Sequence, residues 1–428
     1  LYNSYLKSGK VTTDSRHTPL GSIYFALKGD RFDGNDFALS ALEAGCALAV
    51  VDDVRLKDTE GCFWVSDALK TLQKLATHHR VQSGMKVLGI TGSNGKTTTK
   101  ELVAAVLSQK YKMGFTQGNL NNHIGVPLTL LSMPKDVELA VVEMGANHIN
   151  EISFLCEIAQ PDWGLITNVG KAHLEGFGSF EGVMTAKSEL YAYLKKHKKP
   201  IFINDDNPFL TEMLAGYNIS LVKYGTTESL FVRGKEAKAE PFLEFEWKSL
   251  DLSWQKTTMQ LSGLYNFENA LAAVAIGRYF EVSAAEINKA LEDYQPKNHR
   301  SQVVKTKQNT LFLDAYNANP TSMAAALDNF EKTTAYNKIL VLGGMKELGS
   351  ESKEEHLKLV NRLKNTSFTQ CFLVGEEFQE ILPKDKRFYW FSTGEELCRH
   401  LKNNSITDNY ILVKGSRANK LEEVVDFL

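Results

Sequence analysis

Apolar residues fall in short runs separated by stretches of helical period, and this alternation repeats along the whole chain. In the first part, apolar runs at 22–27, 47–51 and 63–65 read as strands, and 68–81 carries the spacing of an amphipathic helix. Between them Lys28-Gly29-Asp30-Arg31-Phe32-Asp33-Gly34 is dense in turn formers and predicts a loop. A second block opens with Lys86-Val87-Leu88-Gly89-Ile90-Thr91, a buried type of strand. A Gly-rich turn and a helix over 96–107 follow it. Two further apolar strands end at Glu143 and near Asn168, and a helix over 266–279 is expected to close the block. Residues 294–300 read as a linker. Beyond them, strands are predicted near 311–314, 339–343, 371–374, 388–391 and 410–413, with a last helix over 419–428. Strands alternating with helices indicate βαβ units and parallel sheets. The expected fold class is therefore α/β, in three domains covering 1–84, 85–297 and 298–428.

Length agrees with that division, since 428 residues suit two or three domains at roughly 150 residues each. Hydrophobic content of 43% and charged content of 23% are those of an ordinary globular protein. A net charge of −2 lacks the basic excess of a general nucleic-acid or membrane-surface binder, though a local basic pocket for phosphates is compatible with it. Five scattered cysteines, with no CxxC pair, argue against a disulfide framework or structural zinc and for a reducing compartment. No run approaches the ~18 apolar residues of a membrane-spanning helix, so a cytoplasmic location is expected.

The strongest local signal is Thr91-Gly92-Ser93-Asn94-Gly95-Lys96-Thr97-Thr98, set between a strand and a helix. A glycine-rich turn there lets backbone N–H groups approach phosphate oxygens, and the helix N-terminus adds roughly half a positive charge. Lys96 can reach the terminal phosphates, and the Thr97 hydroxyl suits Mg²⁺. Ile90 stands where the general phosphate-loop pattern has its first glycine, so this is a shortened form. A plain tight turn would need the same Gly and Asn.

Glu143 closes an apolar strand, at the sheet edge where open α/β folds bind ligands, and could hold Mg²⁺ there. On position alone it is equally a surface carboxylate opening a loop. His173, after Asn168-Val169-Gly170-Lys171-Ala172, would lie near the same edge, as a ligand or as a hydrogen-bonded structural histidine. Lys187 sits in a helical stretch, where a lysine is normally a solvated surface charge. Asn319-Pro320-Thr321 has the form of a helix start, with Asn319 as cap and Pro320 first in the helix. The residues just before it, Tyr316 and Asn317, follow a strand end and would face a ligand. Ser416 and Arg417 also follow a strand, and a guanidinium suits a carboxylate.

Taken together, Thr91–Thr98, Glu143-Met144-Gly145, Asn168–His173 and Ala186-Lys187-Ser188-Glu189 resemble the Mur ligases in order and spacing. Asp14-Ser15-Arg16, the 27–34 segment, Asp314–Pro320 and Lys414-Gly415-Ser416-Arg417 resemble the branch of that family that adds D-alanyl-D-alanine to the cell-wall precursor. The resemblance implies a UDP-sugar-binding first domain, a central ATPase domain and a Rossmann-like third domain that closes over the site. It implies a ligase that joins D-alanyl-D-alanine to UDP-N-acetylmuramoyl-tripeptide through an acyl phosphate, with ATP and two Mg²⁺ ions. Gly92, Ser93, Asn94, Gly95, Lys96, Thr97 and Thr98 would cradle the phosphates. Asn266, Asn269 and Arg300 would approach the nucleotide and Asp314 its ribose. Thr97 and Glu143 would hold one ion, and His173 with a carbamylated Lys187 the other. Ser15, Arg16, Lys28, Gly29, Phe32, Asp33, Tyr316, Asn317, Asn319, Ser416 and Arg417 would take the substrates. No nucleic acid or membrane span is implied, and a monomer is expected. Around Gly343-Gly344-Met345-Lys346-Glu347-Leu348-Gly349 an acidic residue common in the family is missing, and the surroundings of Arg300 also depart from it. The alternatives are a sibling ligase, such as the third-residue-adding enzyme or a folylpolyglutamate synthetase, and a P-loop module that hydrolyses nucleotide without ligating.

Overall fold

A computed structural model describes residues 1–297 and 299–428, and of Glu236 the backbone alone. The chain forms three main sheets in sequence order. The first has four short parallel strands, Val11–Thr12, Ile23–Phe25, Leu48–Val51 and Cys62–Trp64. The second has nine strands and the third has six. The chain is α/β throughout, as its alternation predicts. The boundary expected at 298 falls on Asn298, which lies outside the described residues.

In the nine-stranded sheet, Lys86–Thr91 lies between Leu139–Glu143 and Trp163–Ile166, all parallel. Every residue of Leu139–Glu143 is buried, as expected of a parallel strand covered on both faces. Helix Lys96–Leu107 packs on one face beside helix Asn266–Tyr279, whose Ala270–Ile276 stretch is wholly buried. That helix does not close the block. Ala284–Asp293 follows it, started by a capping box in which Ser283 and Glu286 satisfy each other's backbone. The far edge of the sheet is also unlike the expected pattern. Val232–Ala239, Leu243–Ser249 and Gln255–Thr258 pair as an antiparallel extension. Its middle strand alternates, burying Leu243, Phe245 and Trp247.

The third sheet runs in the order Gln302–Lys305, Thr310–Asp314, Tyr410–Lys414, Lys338–Gly343, Gln370–Val374 and Phe388–Phe391. It is parallel except for its first strand, which the apolar pattern does not announce. Two expectations are corrected here and in the first block. The terminal segment is two 3₁₀ stretches, Arg417–Asn419 and Leu421–Phe427, rather than an α-helix. The 28–34 loop holds a small hairpin, Lys28–Gly29 against Phe32–Asp33, before a 3₁₀ turn begins at Gly34. Among the described residues no helix is long and apolar enough to cross a membrane.

Candidate active site

The C-terminal ends of the central strands and those of Thr310–Asp314 and Tyr410–Lys414 meet around one cavity of about 700 Å³. Its wall comes from both blocks: Ser93–Thr98, Glu143 and His173 from one, Asp314, Tyr316, Asn317, Asn319 and Lys414 from the other.

The loop from Gly92 to Gly95 is tied down from below. Ser93 N donates to Asn168 O at 3.0 Å, Asn94 N to Asn168 Oδ1 at 2.9 Å, and Thr167 Oγ1 to Asn94 O at 2.6 Å. Ser93 Oγ and Gly170 exchange two further bonds. The loop therefore has a fixed shape, and its glycines are required by it. Gly92 and Gly95 have φ of 144° and 77°, and a Cβ on Gly95 would lie 2.5 Å from Asn269 Oδ1. Lys96 Nζ donates back to the carbonyls of Gly92 and Ser93, and burial pulls its ammonium below the usual lysine value. Thr97 opens the helix on the cavity wall. Asn266 and Asn269 form a buried chain: Thr99 Oγ1 donates to Asn269 Oδ1, and Asn269 Nδ2 to Asn266 Oδ1.

Glu143 is 2% exposed, which excludes the surface-loop reading. Asn121 Nδ2 donates to its Oε1 at 2.8 Å, while Oε2 has no hydrogen-bond partner among the described residues. Lys100 Nζ lies 3.8 Å from that oxygen, itself only 1% exposed. That oxygen thus has an ammonium beside it but no hydrogen-bond donor, which leaves it able to accept a further ligand. Together with the Thr97 hydroxyl, it offers the hard oxygen donors that Mg²⁺ prefers. Asn94 Nδ2 and Arg300 Nε are likewise buried with no hydrogen-bond partner among the described residues, and both residues line the cavity.

Lys187 is not a solvated lysine. It is 2% exposed inside helix Phe180–Lys196, and burial, with Lys96 nearby, lowers its pKa to about 7. It is not on the cavity wall itself. Glu189, from the same motif, is structural, accepting from the backbone N–H groups of Asn150 and Ser153 at the start of the next-door helix. His173 does line the cavity, and Glu347 of the third block reaches it.

In the third block, Asn319 caps helix Pro320–Lys332 as expected, and its Nδ2 also donates to Asn94 Oδ1 at 2.7 Å. Cap and cross-block contact are thus one residue. Asp314 is paired with Lys414 at 2.5 Å, a fully buried lysine. The Tyr316 ring lies 3.6 Å from the Arg300 guanidinium and 5.7 Å from that of Arg417. Ser416 is a scaffold residue, donating to Asn419 Oδ1 while 2% exposed. Ser15, Arg16, Lys28, Gly29, Phe32 and Asp33 stand apart from the cavity wall. There Arg16 pairs with Asp14, and Lys28 with Asp52 and Asp33. Phe32 is 58% exposed, an apolar ring presented to solvent.

Sequence reasoning passed over Asn121 and Lys100, and gave no role to Lys414 and Glu347 although both lie in motifs named above. The run Asn119-Leu120-Asn121-Asn122 after a strand was a readable signal for the first. The three charged residues look like surface charges until packing is known.

The Mur ligase middle-domain model matches residues 90–277, and the Mur ligase glutamate-ligase-domain model matches 299–417. The chain belongs to the Mur ligase family. Within it, the chain is 36% identical to the UDP-N-acetylmuramoyl-tripeptide–D-alanyl-D-alanine ligase of Bacillus subtilis (strain 168), covering 97% of this chain and 92% of that one. The crystal structure of MurF from Acinetobacter baumannii superposes with a TM-score of 0.88 at 32% identity, covering 97% and 92%. MurF ligase from Thermotoga maritima in complex with ADP gives 0.86 at 29% identity, covering 99% and 97%.

Proposed function

We infer that this chain is an ATP-dependent, ADP-forming ligase that joins D-alanyl-D-alanine to UDP-N-acetylmuramoyl-tripeptide in peptidoglycan precursor synthesis. Full-length similarity to ligases of that name supports the substrate pair. The observation that carries the chemistry is the braced Gly92–Gly95 loop facing Glu143, whose buried Oε2 lacks a hydrogen-bond donor.

A carboxylate does not acylate an amine directly, because its leaving group would be oxide. Transfer of the γ-phosphoryl group of ATP to the peptide carboxylate releases ADP and gives an acyl phosphate. Attack by the dipeptide amine then expels phosphate, forms the amide and releases a proton. Two anions must meet in the first step, so catalysis rests on positioning and charge neutralisation. The loop N–H groups and Lys96 hold the β- and γ-phosphates. Asn266, Asn269 and Arg300 face the nucleotide, and Asp314, whose Oδ2 accepts from Lys414 and whose Oδ1 accepts a long bond from Ser301 N at 3.4 Å, faces the ribose. Thr97 and Glu143 would hold one Mg²⁺, and His173 with a carbamylated Lys187 a second. Bound there, Mg²⁺ would supply positive charge to neutralise the phosphates.

Tyr316, Asn317, Asn319 and Arg417 take the incoming dipeptide, and the exposed 28–33 hairpin with Ser15 and Arg16 takes the UDP-sugar. This assigns 1–84, 85–297 and 298–428 to UDP-sugar binding, ATP chemistry and amine binding. The test is phosphate release from ATP by the purified chain with UDP-N-acetylmuramoyl-tripeptide, with and without D-alanyl-D-alanine. Release and amide product dependent on both substrates support the reading. Release indifferent to both overturns it, and product formed with glutamate or diaminopimelate instead reassigns it to a sibling.

A further inference from the structure

Two residues with left-handed backbones face each other across the boundary between the central and third blocks. His173 has φ of 53° and Glu347 of 61°. Neither is glycine, and side chains seldom adopt this region unless the surroundings hold them there. Here the surroundings do. Glu175 N donates to Glu347 O at 3.2 Å. Met345 and Leu348, on either side of Glu347, are each 2% exposed, and Met345 N donates to the buried His356 ring at 2.9 Å. A Cβ on Gly349 would come within 3.3 Å of the Glu175 backbone, so the two segments are in close apposition. The outcome is that Glu347 Oε2 lies 2.5 Å from His173 Nδ1. That nitrogen is shut off from solvent and makes no aligned hydrogen bond among the described residues.

We propose that Glu347 is a positioning residue: its carboxylate, already 2.5 Å from His173 Nδ1, accepts the Nδ1–H when a small turn of the ring brings it into line, fixes the ring's tautomer, and leaves Nε2 as the nitrogen that takes a divalent cation. Carboxylates serve metal-binding histidines in this way generally, and their loss typically costs 10–100-fold in metal affinity or activity. Glu347 belongs to the third block and His173 to the central one. The ring is therefore held in its binding orientation only with the two blocks apposed. The pair is half exposed on the Glu347 side, so its value lies in orientation rather than in stability. The inference rests on the reading of His173 as a cation ligand given above.

The experiment replaces Mg²⁺ by Mn²⁺ in the complex of the full chain with ADP, and measures Mn²⁺ affinity together with the ¹⁴N modulation of its electron spin echo. The parent protein should show imidazole ¹⁴N coupling. Glu347→Ala should lose that coupling and bind the second ion about 10- to 100-fold more weakly, with its melting temperature unchanged. Glu347→Gln, which accepts from Nδ1 without a charge, should retain the coupling. Unchanged coupling and affinity in Glu347→Ala would overturn the role given to Glu347 while leaving His173 a ligand. No ¹⁴N coupling in the parent protein would overturn the reading of His173, and this inference with it.

Discussion

Lys187 offers the most quantitative test, because burial, with Lys96 nearby, sets its behaviour. Its ammonium is 2% exposed and its pKa falls from 10.5 to about 7. That difference corresponds to about 5 kcal/mol at 1.36 kcal/mol per unit, an upper bound for a group this enclosed. At pH 7.5 about three-quarters of such a lysine is neutral, against about one in a thousand for an exposed one. Only the neutral amine adds CO₂, forming a carbamate and releasing a proton, so the burial would favour the carbamylation proposed for this lysine. The sign of the stability effect follows from proton counting. Between about 7 and 10.5 the unfolded chain holds a proton that folded, unmodified Lys187 has lost, so stability rises with pH across that window. Below about 7 the full penalty of a buried ammonium is present. Lys187→Met removes that ammonium. It should melt higher than the bicarbonate-free parent at pH 6, by an amount that shrinks towards pH 9, while ligase activity is lost. In the parent, the ¹³C signal of carbamate from labelled bicarbonate should fall with activity as pH drops through about 7, and added bicarbonate should restore both. A parent with full activity and no carbamate signal in bicarbonate-free buffer would refute the reasoning. So would a Lys187→Met protein less stable than the parent at pH 6.

Three further outcomes follow from the cavity wall. Gly95→Ala forces a side chain into a left-handed turn against Asn269, and should lose about 1–2 kcal/mol of stability. Its ADP affinity by calorimetric titration should drop at least about tenfold if the Gly92–Gly95 loop holds the phosphates. Asn319→Ala should cost about 1 kcal/mol in urea denaturation through the lost cap. Asn319→Asp should keep the cap and its stability, yet lower kcat, because a carboxylate cannot donate to Asn94. Lys414→Met leaves Asp314 without its cation, and should cost about 3 kcal/mol in the same assay.

The sequence announced those parts of the molecule whose local chemistry and packing agree. Helix Lys96–Leu107 matches its expected limits because the glycine turn before it and the apolar period within it point to one answer. Helix Asn266–Tyr279 is also found where its pattern places it, although it is buried nearly all round. The antiparallel extension carries its signal in the alternation of Leu243-Glu244-Phe245-Glu246-Trp247, but that one strand is set among units with the βαβ pattern of a parallel sheet. The terminal segment has helical spacing and still folds as 3₁₀ turns, because it is short and its form is set by packing beside helix Gly394–Asn403. In the site, Glu143 and Lys187 were visible as residues, but their burial was not, and burial is what gives each its chemistry. The pairs Asp314–Lys414 and His173–Glu347 join residues 100 and 174 positions apart. No local pattern encodes such meetings.

The divided wall of the cavity has a consequence for how the protein can change. One end is built by 92–98 and 143, and the other by the strand-to-helix turn at 314–320. The two touch through few bonds, Asn319 to Asn94 among them. A loop on a rigid strand end can exchange residues without disturbing a phosphate cradle anchored in a different sheet. Under the proposed assignment of these two ends, the choice of amine is separable from the activation of the acid. Variation confined to 315–318 is the place to look for a chain that keeps its ATP chemistry while accepting a different nucleophile.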